Sequence, residues 1–359
     1  MKKVLLFFIA VIAGAILFVS CEEDNSLKPD QTLKSIEELE LLLNQRQYDS
    51  VILYGNQILI HEPTNSYVNL IVGRAYTESA LYTQAISYLT NSIAYDKENS
   101  YKKAWSLCCL GRSYFFTDSI EKSKQCFMEC IEMNATEYSV TSAQFHLNWF
   151  MDDHQSRWEV HEEEHIKFYF KDKSGVANFD DFLLKHEQAF INIATYFDAD
   201  LKQKIFFFVW DDTSDAENII GRSYSHAIPT LYLINTSYNH TYGHEIAHVI
   251  IHQSLKPEKV HTFINEGIAV YLDQSNRNRI ETAMEALNGE KLSLFELWDN
   301  PTRNLDILFP VGGAFIEFLL DNGTKSQLME LLSNQSRENA MEIYPDFEVL
   351  EVQFENIFN

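Results

Sequence analysis

The chain has 359 residues, with 52 acidic against 28 basic side chains, a net charge of −24, and 46% hydrophobic residues, 13% of the chain being aromatic. That excess of negative charge argues against nucleic acid as a partner and against broad contact with anionic lipid, because both would be repelled. Length and apolar content suit substantial cores in about two domains.

Lys2 and Lys3 precede an apolar run from Val4 to Val19, closed by Ser20 and Cys21. A basic start, a short greasy middle and a small residue before the cut form a signal-peptide layout over residues 1–20. The run falls short of the about twenty apolar residues that a spanning helix needs. Val19-Ser20-Cys21 resembles a bacterial lipoprotein box, although Phe18 stands where such a box usually opens with Leu. The resemblance implies cleavage before Cys21 and lipid attached to that residue. The alternative is an uncleaved anchor; both readings put the working part outside the cytoplasm, tethered to a membrane. Glu22-Glu23-Asp24-Asn25 resembles the export signal of surface lipoproteins of Bacteroidota-type bacteria, which implies the outer membrane without choosing its face. As physics, residues 21–34 are a solvated acidic tether. Loss of residues 1–20 removes two lysines, leaving 26 basic against 52 acidic groups, a balance of −26.

Residues 35–150 repeat themselves. Gly73-Arg74-Ala75-Tyr76 recurs as Gly111-Arg112-Ser113-Tyr114, and Gln47-Tyr48-Asp49-Ser50-Val51 as Leu81-Tyr82-Thr83-Gln84-Ala85, a shift of 34 residues. That period and the small and aromatic positions resemble a degenerate tetratricopeptide array of about three helix pairs, with Pro63 fitting one turn. The resemblance implies a concave side for a protein or peptide partner; a helical spacer without a ligand of its own is the equal alternative. Cys108, Cys109, Cys126 and Cys130 fall at helical positions without zinc-knuckle spacing and read as small buried hydrophobes. A disulfide among them suits an oxidising compartment, but spacing does not give its pairing.

From Trp158 onward the pattern changes. His165–Phe170 and Lys204–Trp210 read as strands, Phe179–Tyr196 as an amphipathic helix between them, Asp211–Ile220 as a short helix, and residues 229–234 as a further strand. His161-Glu162-Glu163-Glu164-His165 has the H-E-x-x-H pattern, yet three adjacent carboxylates and the strand that follows make it a solvated acidic linker rather than a metal helix.

The second copy, His244-Glu245-Ile246-Ala247-His248, has better surroundings. Residues four apart share a helix face, so His244 and His248 can hold one metal between consecutive turns. Glu245 stands beside the first ligand, placed to take a proton from a metal-activated water. Val249-Ile250-Ile251 continues an apolar face, Lys256-Pro257 ends it, and a second helix starts near Thr262 and carries Asn265-Glu266-Gly267. A carboxylate in that apolar stretch is costly to bury unless paired or metal-bound, which makes Glu266 the third ligand; a helix N-terminal charge is the alternative. His252 cannot share an ion with His244, since eight residues of helix span about 12 Å. His240 and His261 read as surface or loop histidines.

His244 to His248, with Asn265-Glu266-Gly267-Ile268-Ala269-Val270-Tyr271 and Phe309-Pro310-Val311-Gly312-Gly313-Ala314-Phe315-Ile316-Glu317-Phe318-Leu319-Leu320, resembles the gluzincin metallopeptidases, especially the peptidase MA-like group. The likeness covers roughly the last two hundred residues. It implies an α+β chain: an all-α tetratricopeptide-like region, then over residues 155–355 a gluzincin-type domain with a small mixed sheet. It implies zinc held by His244, His248 and Glu266, with Glu245 as general base and a peptide or protein as substrate. In that pattern a Tyr often opens the last of the three blocks, but Phe309 stands here and cannot donate to an oxyanion. Tyr238, Tyr242 and Tyr271 are the available replacements. Asp273, seven residues after Glu266, is the candidate carboxylate for supporting a ligand histidine. Thr230–Ile234, if it is the sheet edge beside the site, would pair with an extended substrate. Two functions compete: an anchored zinc endopeptidase, and a peptidase-like adaptor that binds partners through its helices without turnover.

Overall fold

The computed structural model describes residues 35–98, 100–150, 158–211, 216–217, 225–299 and 304–359. The signal segment, Cys21 and the acidic tether lie outside the described residues, as does most of the short helix expected over 211–220. Among the described residues, sixteen α-helices accompany one mixed five-stranded sheet, an α+β arrangement. None of those helices is long and apolar enough to cross a membrane.

Seven helices come first: α1 (Ile36–Asn44), α2 (Tyr48–His61), α3 (Ser66–Glu78), α4 (Tyr82–Tyr95), α5 (Tyr101–Phe116), α6 (Ile120–Met133) and α7 (Glu137–Phe150). Their starts are written locally. Ser35 and Glu38 close a capping box on α1, and the Asn65 side chain accepts the Tyr67 and Val68 amides at the head of α3. The repeated glycines mark equivalent close approaches. A Cβ on Gly73 would lie 2.7 Å from Leu89, and one on Gly111 would lie 2.6 Å from the Phe127 ring, in each case sixteen residues further along. Buried polar ties cross between neighbours: Arg112 donates to Glu78 at 2.9 Å, and Ser92 meets Ser106 at 2.8 Å.

The sheet follows. Strands β1 (Glu159–Glu162), β2 (Ile166–Phe170), β3 (Ile205–Trp210), β4 (His226–Ile228) and β5 (Leu233–Ser237) lie in the order β1-β2-β3-β5-β4. β2, β3 and β5 run parallel, and the outer strands β1 and β4 are antiparallel to their neighbours. Helix α8 (Phe179–Phe197) makes the crossover from β2 to β3, started by Asn178.

Every residue of β3 is buried, which is what an apolar run without alternation should give when both faces are covered. Ile205, Phe207 and Val209 join the core under α8, while Phe206, Phe208 and Trp210 join the core of helices α3–α7. Phe115 and Phe116 of α5 bring their rings to 5.1 and 5.0 Å from that of Phe206. The sheet is therefore a layer shared by the helices on either side.

Two expectations need correction. The segment 161–165 is neither a linker nor a helix: β1 and β2 form a hairpin in which His161 pairs with Phe168 and Glu162 with Lys167. Its charges are partly neutralised, since Lys204 donates to Glu162 at 2.7 Å and His165 Nδ1 lies 2.8 Å from Glu187. Residues 229–234 are not one strand either. Pro229, without an N–H to give a ladder, opens a 3-10 turn through Leu231, and Tyr232 turns left-handed at φ 52°. The strand proper starts at Leu233 and lies inside the sheet; the edge beside the site is β4.

On α8, His186 is fully buried among Phe168, Phe182 and Phe207, with Nδ1 donating to the Phe182 carbonyl at 2.7 Å. Burial pushes its pKa well below the usual histidine value. Below about pH 6.5 the unfolded chain takes up a proton that the folded chain refuses, so stability falls as pH drops from there. Melting temperatures between pH 7.5 and 5 are expected to decline, and the decline to be shallower in His186→Phe.

Candidate metal centre

Six of the remaining helices position the site: α9 (His244–Leu255), α10 (Thr262–Leu272), α11 (Arg279–Leu287), α12 (Leu294–Asp299), α13 (Leu305–Asp321) and α14 (Lys325–Ser333). Helices α15 (Arg337–Ile343) and α16 (Phe347–Phe358) complete the core behind them.

Helix α9 begins abruptly after Gly243, whose φ of 91° suits a residue without a Cβ. Its Ile246, Ala247, Val249, Ile250 and Ile251 are buried, which fixes the rotation of the helix and turns His244 and His248 to one side. The α9–α10 connection is pinned from below. The Glu258 amide donates to the Ser333 carbonyl at 2.8 Å, and buried Gln335 receives the His261 amide at 2.9 Å. His261, read from sequence as a loop residue, is the N-cap of α10, its Nδ1 accepting the Phe263 amide.

Helix α10 then crosses α13 backbone against backbone at two glycines. A Cβ on Gly267 would lie 2.7 Å from the backbone of Gly312. The residue before that crossing is Glu266. Its Oε2 lies 3.2 Å from Nε2 of His244 and 3.4 Å from Nε2 of His248. All three donor atoms fall within 4.8 Å of one another. Tetrahedral ligation with bonds of about 2.05 Å separates donor atoms by about 3.3 Å, close to the two Glu266–imidazole distances, so this group could hold a metal ion. The other H-E-x-x-H, at residues 161–165 in the hairpin, brings no such set together among the described residues.

Electrostatics agree with the geometry. Burial works to raise the Glu266 carboxyl, but hydrogen bonds and attraction from the two imidazoles outweigh it and hold the group well below the usual carboxylate range. Burial likewise works to lower His248, and Glu266 reverses the sign and raises it. Glu245, 8% exposed, is pushed up by burial, partly offset by the two histidines, and the Ala227 amide of β4 bonds its carboxylate. A buried carboxylate of raised pKa beside residues that could hold a metal has the character of a general base.

The three side chains open into a cleft of about 1050 Å³ that is also lined by Ala227, His240, Asp273, Arg277 and Phe309. Asp273 does not support a ligand: its Oδ1 accepts from Arg279 at 2.7 Å and from Ser275, and no hydrogen bond joins it to either imidazole. The helix ends at Leu272, so Asp273 leaves the face that carries Glu266. The neighbour of His248 is instead Asn265, whose terminal amide lies 3.1 Å from Nδ1. As placed, the Asn265 Nδ2 donates to Nδ1; a flip of the amide brings its oxygen there instead, to accept an Nδ1 proton and leave the Nε2 lone pair for a metal. His240 is not a surface histidine: its Nδ1 lies 2.7 Å from the Ser237 carbonyl and its Nε2 lies 2.8 Å from that of His186. Phe309 stacks near His244 with ring centroids 6.0 Å apart. None of the three tyrosines lines the cleft; Tyr238 donates to the Asp172 carbonyl, and Tyr242 packs beside His186.

No protein-family model matches the chain, and no curated protein matches it. The site therefore stands on its own geometry. Gly267→Ala should force α10 from α13, costing about 1–3 kcal/mol in a denaturant titration and weakening metal uptake. Gly313→Ala should cost less, because its new methyl meets mainly the side chain of Val270, which can turn aside.

Proposed function

We propose that the protein is a zinc-dependent peptidase, held at the cell envelope by a lipid on Cys21. The observation that carries this reading is the approach of one Glu266 oxygen to both imidazoles, with Glu245 buried beside them and bonded to the Ala227 amide. Two histidines and a carboxylate suit zinc and leave a fourth position open, as a catalytic site requires. Zinc, when bound, supplies a Lewis acid for the scissile carbonyl and lowers the pKa of water.

The chain's own residues supply the rest. Glu245 removes a proton from the attacking water and passes it to the leaving nitrogen; its burial brings its basicity closer to that task. Asn265 fixes the ring of His248. β4 offers its outer edge along the cleft, where an extended peptide can add as a further strand. The acidic surface of the chain favours cationic substrates over nucleic acid. The helices α1–α7 resemble tetratricopeptide repeats and have an outward side for a protein partner.

A second reading is favoured by one observation: Phe309 sits by His244, and no tyrosine lines the cleft among the described residues. Loss of an oxyanion donor costs about a hundredfold or more. On this reading the site binds metal and partner without turnover.

Metal analysis of the purified full chain, with a chelator-sensitive digest of a broad peptide library, separates the two. Turnover is expected to vanish with chelator and return with zinc. Glu245→Gln should retain stoichiometric zinc and lose at least about a hundredfold in rate, whereas His244→Ala should lose both. Stoichiometric zinc without any cleavage supports the second reading, and no zinc at all overturns the first. Cys21→Ser should move the chain from the membrane fraction to the soluble one.

A further inference from the structure

Helices α5 and α6 carry four free cysteines, all buried. They are not equivalent. Cys108 and Cys130 bring their sulfurs to 3.4 Å across the two helices. Cys109 points elsewhere, into the neighbourhood of Arg112, Glu78 and Arg74. We infer that Cys108 and Cys130 are a redox pair that closes to a disulfide joining α5 to α6.

The helix register supports the pairing independently of the sulfur positions. Gly111 packs on Phe127, and Ser123 donates to the Gly111 carbonyl at 2.7 Å, which locks two antiparallel helices in place. Three residues back from Gly111 is Cys108, and three residues on from Phe127 is Cys130. The same register brings Cys130 Sγ to 3.3 Å from the Ala104 carbonyl. A disulfide of about 2.05 Å needs the sulfurs only about 1.4 Å closer, within reach of side-chain rotation. Helix α7 roofs the pair, its Ser139 carbonyl accepting from Cys108 at 3.3 Å and Cys130 at 3.6 Å. The contact between the two sulfurs lowers the Cys130 thiol and raises that of Cys108.

A small organic disulfide is the oxidant. The Cys130 thiolate attacks one of its sulfurs, forming a mixed disulfide and expelling one thiolate. Cys108, deprotonated, then attacks Cys130 Sγ and expels the second. Two protons pass from the protein to the two leaving thiols, and the two electrons lost by the cysteines reduce the oxidant.

The test is incubation of the purified full chain with oxidised glutathione a few degrees below its melting temperature, where the helices open locally. Remaining thiols are then alkylated in denaturant and the peptides mapped without reductant. One linked pair containing Cys108 and Cys130 is expected, with Cys109 and Cys126 alkylated. The double variant Cys109→Ala and Cys126→Ala should keep the link. The oxidised chain should melt at least about 3 °C above the reduced one, a difference absent in Cys130→Ala. A link between any other two cysteines, four alkylated thiols, or a melting temperature indifferent to reductant would each overturn the inference.

Discussion

One carboxylate held between two imidazoles organises the C-terminal half of this chain. A half-buried Glu266 on an apolar helix is costly unless an opposite charge or a metal compensates, so its partners must arrive accurately. They do because backbone meets backbone at Gly267 and Gly312, leaving α10 no freedom to slide along α13. From the other side, the buried face of α9 fixes the direction of His244 and His248. Gln335, far off in sequence and fully buried, ties down the connection between the two helices. Three separate stretches of chain thus converge on a point a few ångströms across.

What was legible in the sequence follows from the range of the forces involved. The pairing of His244 with His248 is a property of one helix and can be read from its period. Glu266 could be read because a charge amid Phe263, Ile264, Ile268 and Val270 needs a reason. The hairpin at residues 161–165 was only half legible: the strand after it was visible, but its antiparallel partner depends on pairing across a turn. Residues 229–234 misled because an apolar run looks extended until Pro229 and a left-handed Tyr232 intervene. Asn265, in place of Asp273, could not be found by counting. The helix stops at Leu272, and which polar group faces Nδ1 of His248 is settled by the crossing of two helices.

The general base shows the same division. That Glu245 lies next to a ligand is sequence; that it is buried and touched by the Ala227 amide is tertiary structure. That contact joins the sheet edge to the base, so a strand added to β4 would lie alongside the groups that act on it. The two halves of the site are connected mechanically as well, since Gln253 of α9 donates to the Pro229 carbonyl just beyond β4 at 2.7 Å.

Strand β3 has a wider implication. With Phe207 turned to one set of helices and Phe206, Phe208 and Trp210 to the other, the two regions distinguished in the sequence share a wall. A recombination event that exchanged residues 35–150 for an unrelated helical array would have to bring a matching aromatic surface or leave three large rings in water. The helical region is thus free to diverge on its outward side while its inner side is templated by the sheet. It belongs to the architecture of the whole molecule rather than being a detachable module.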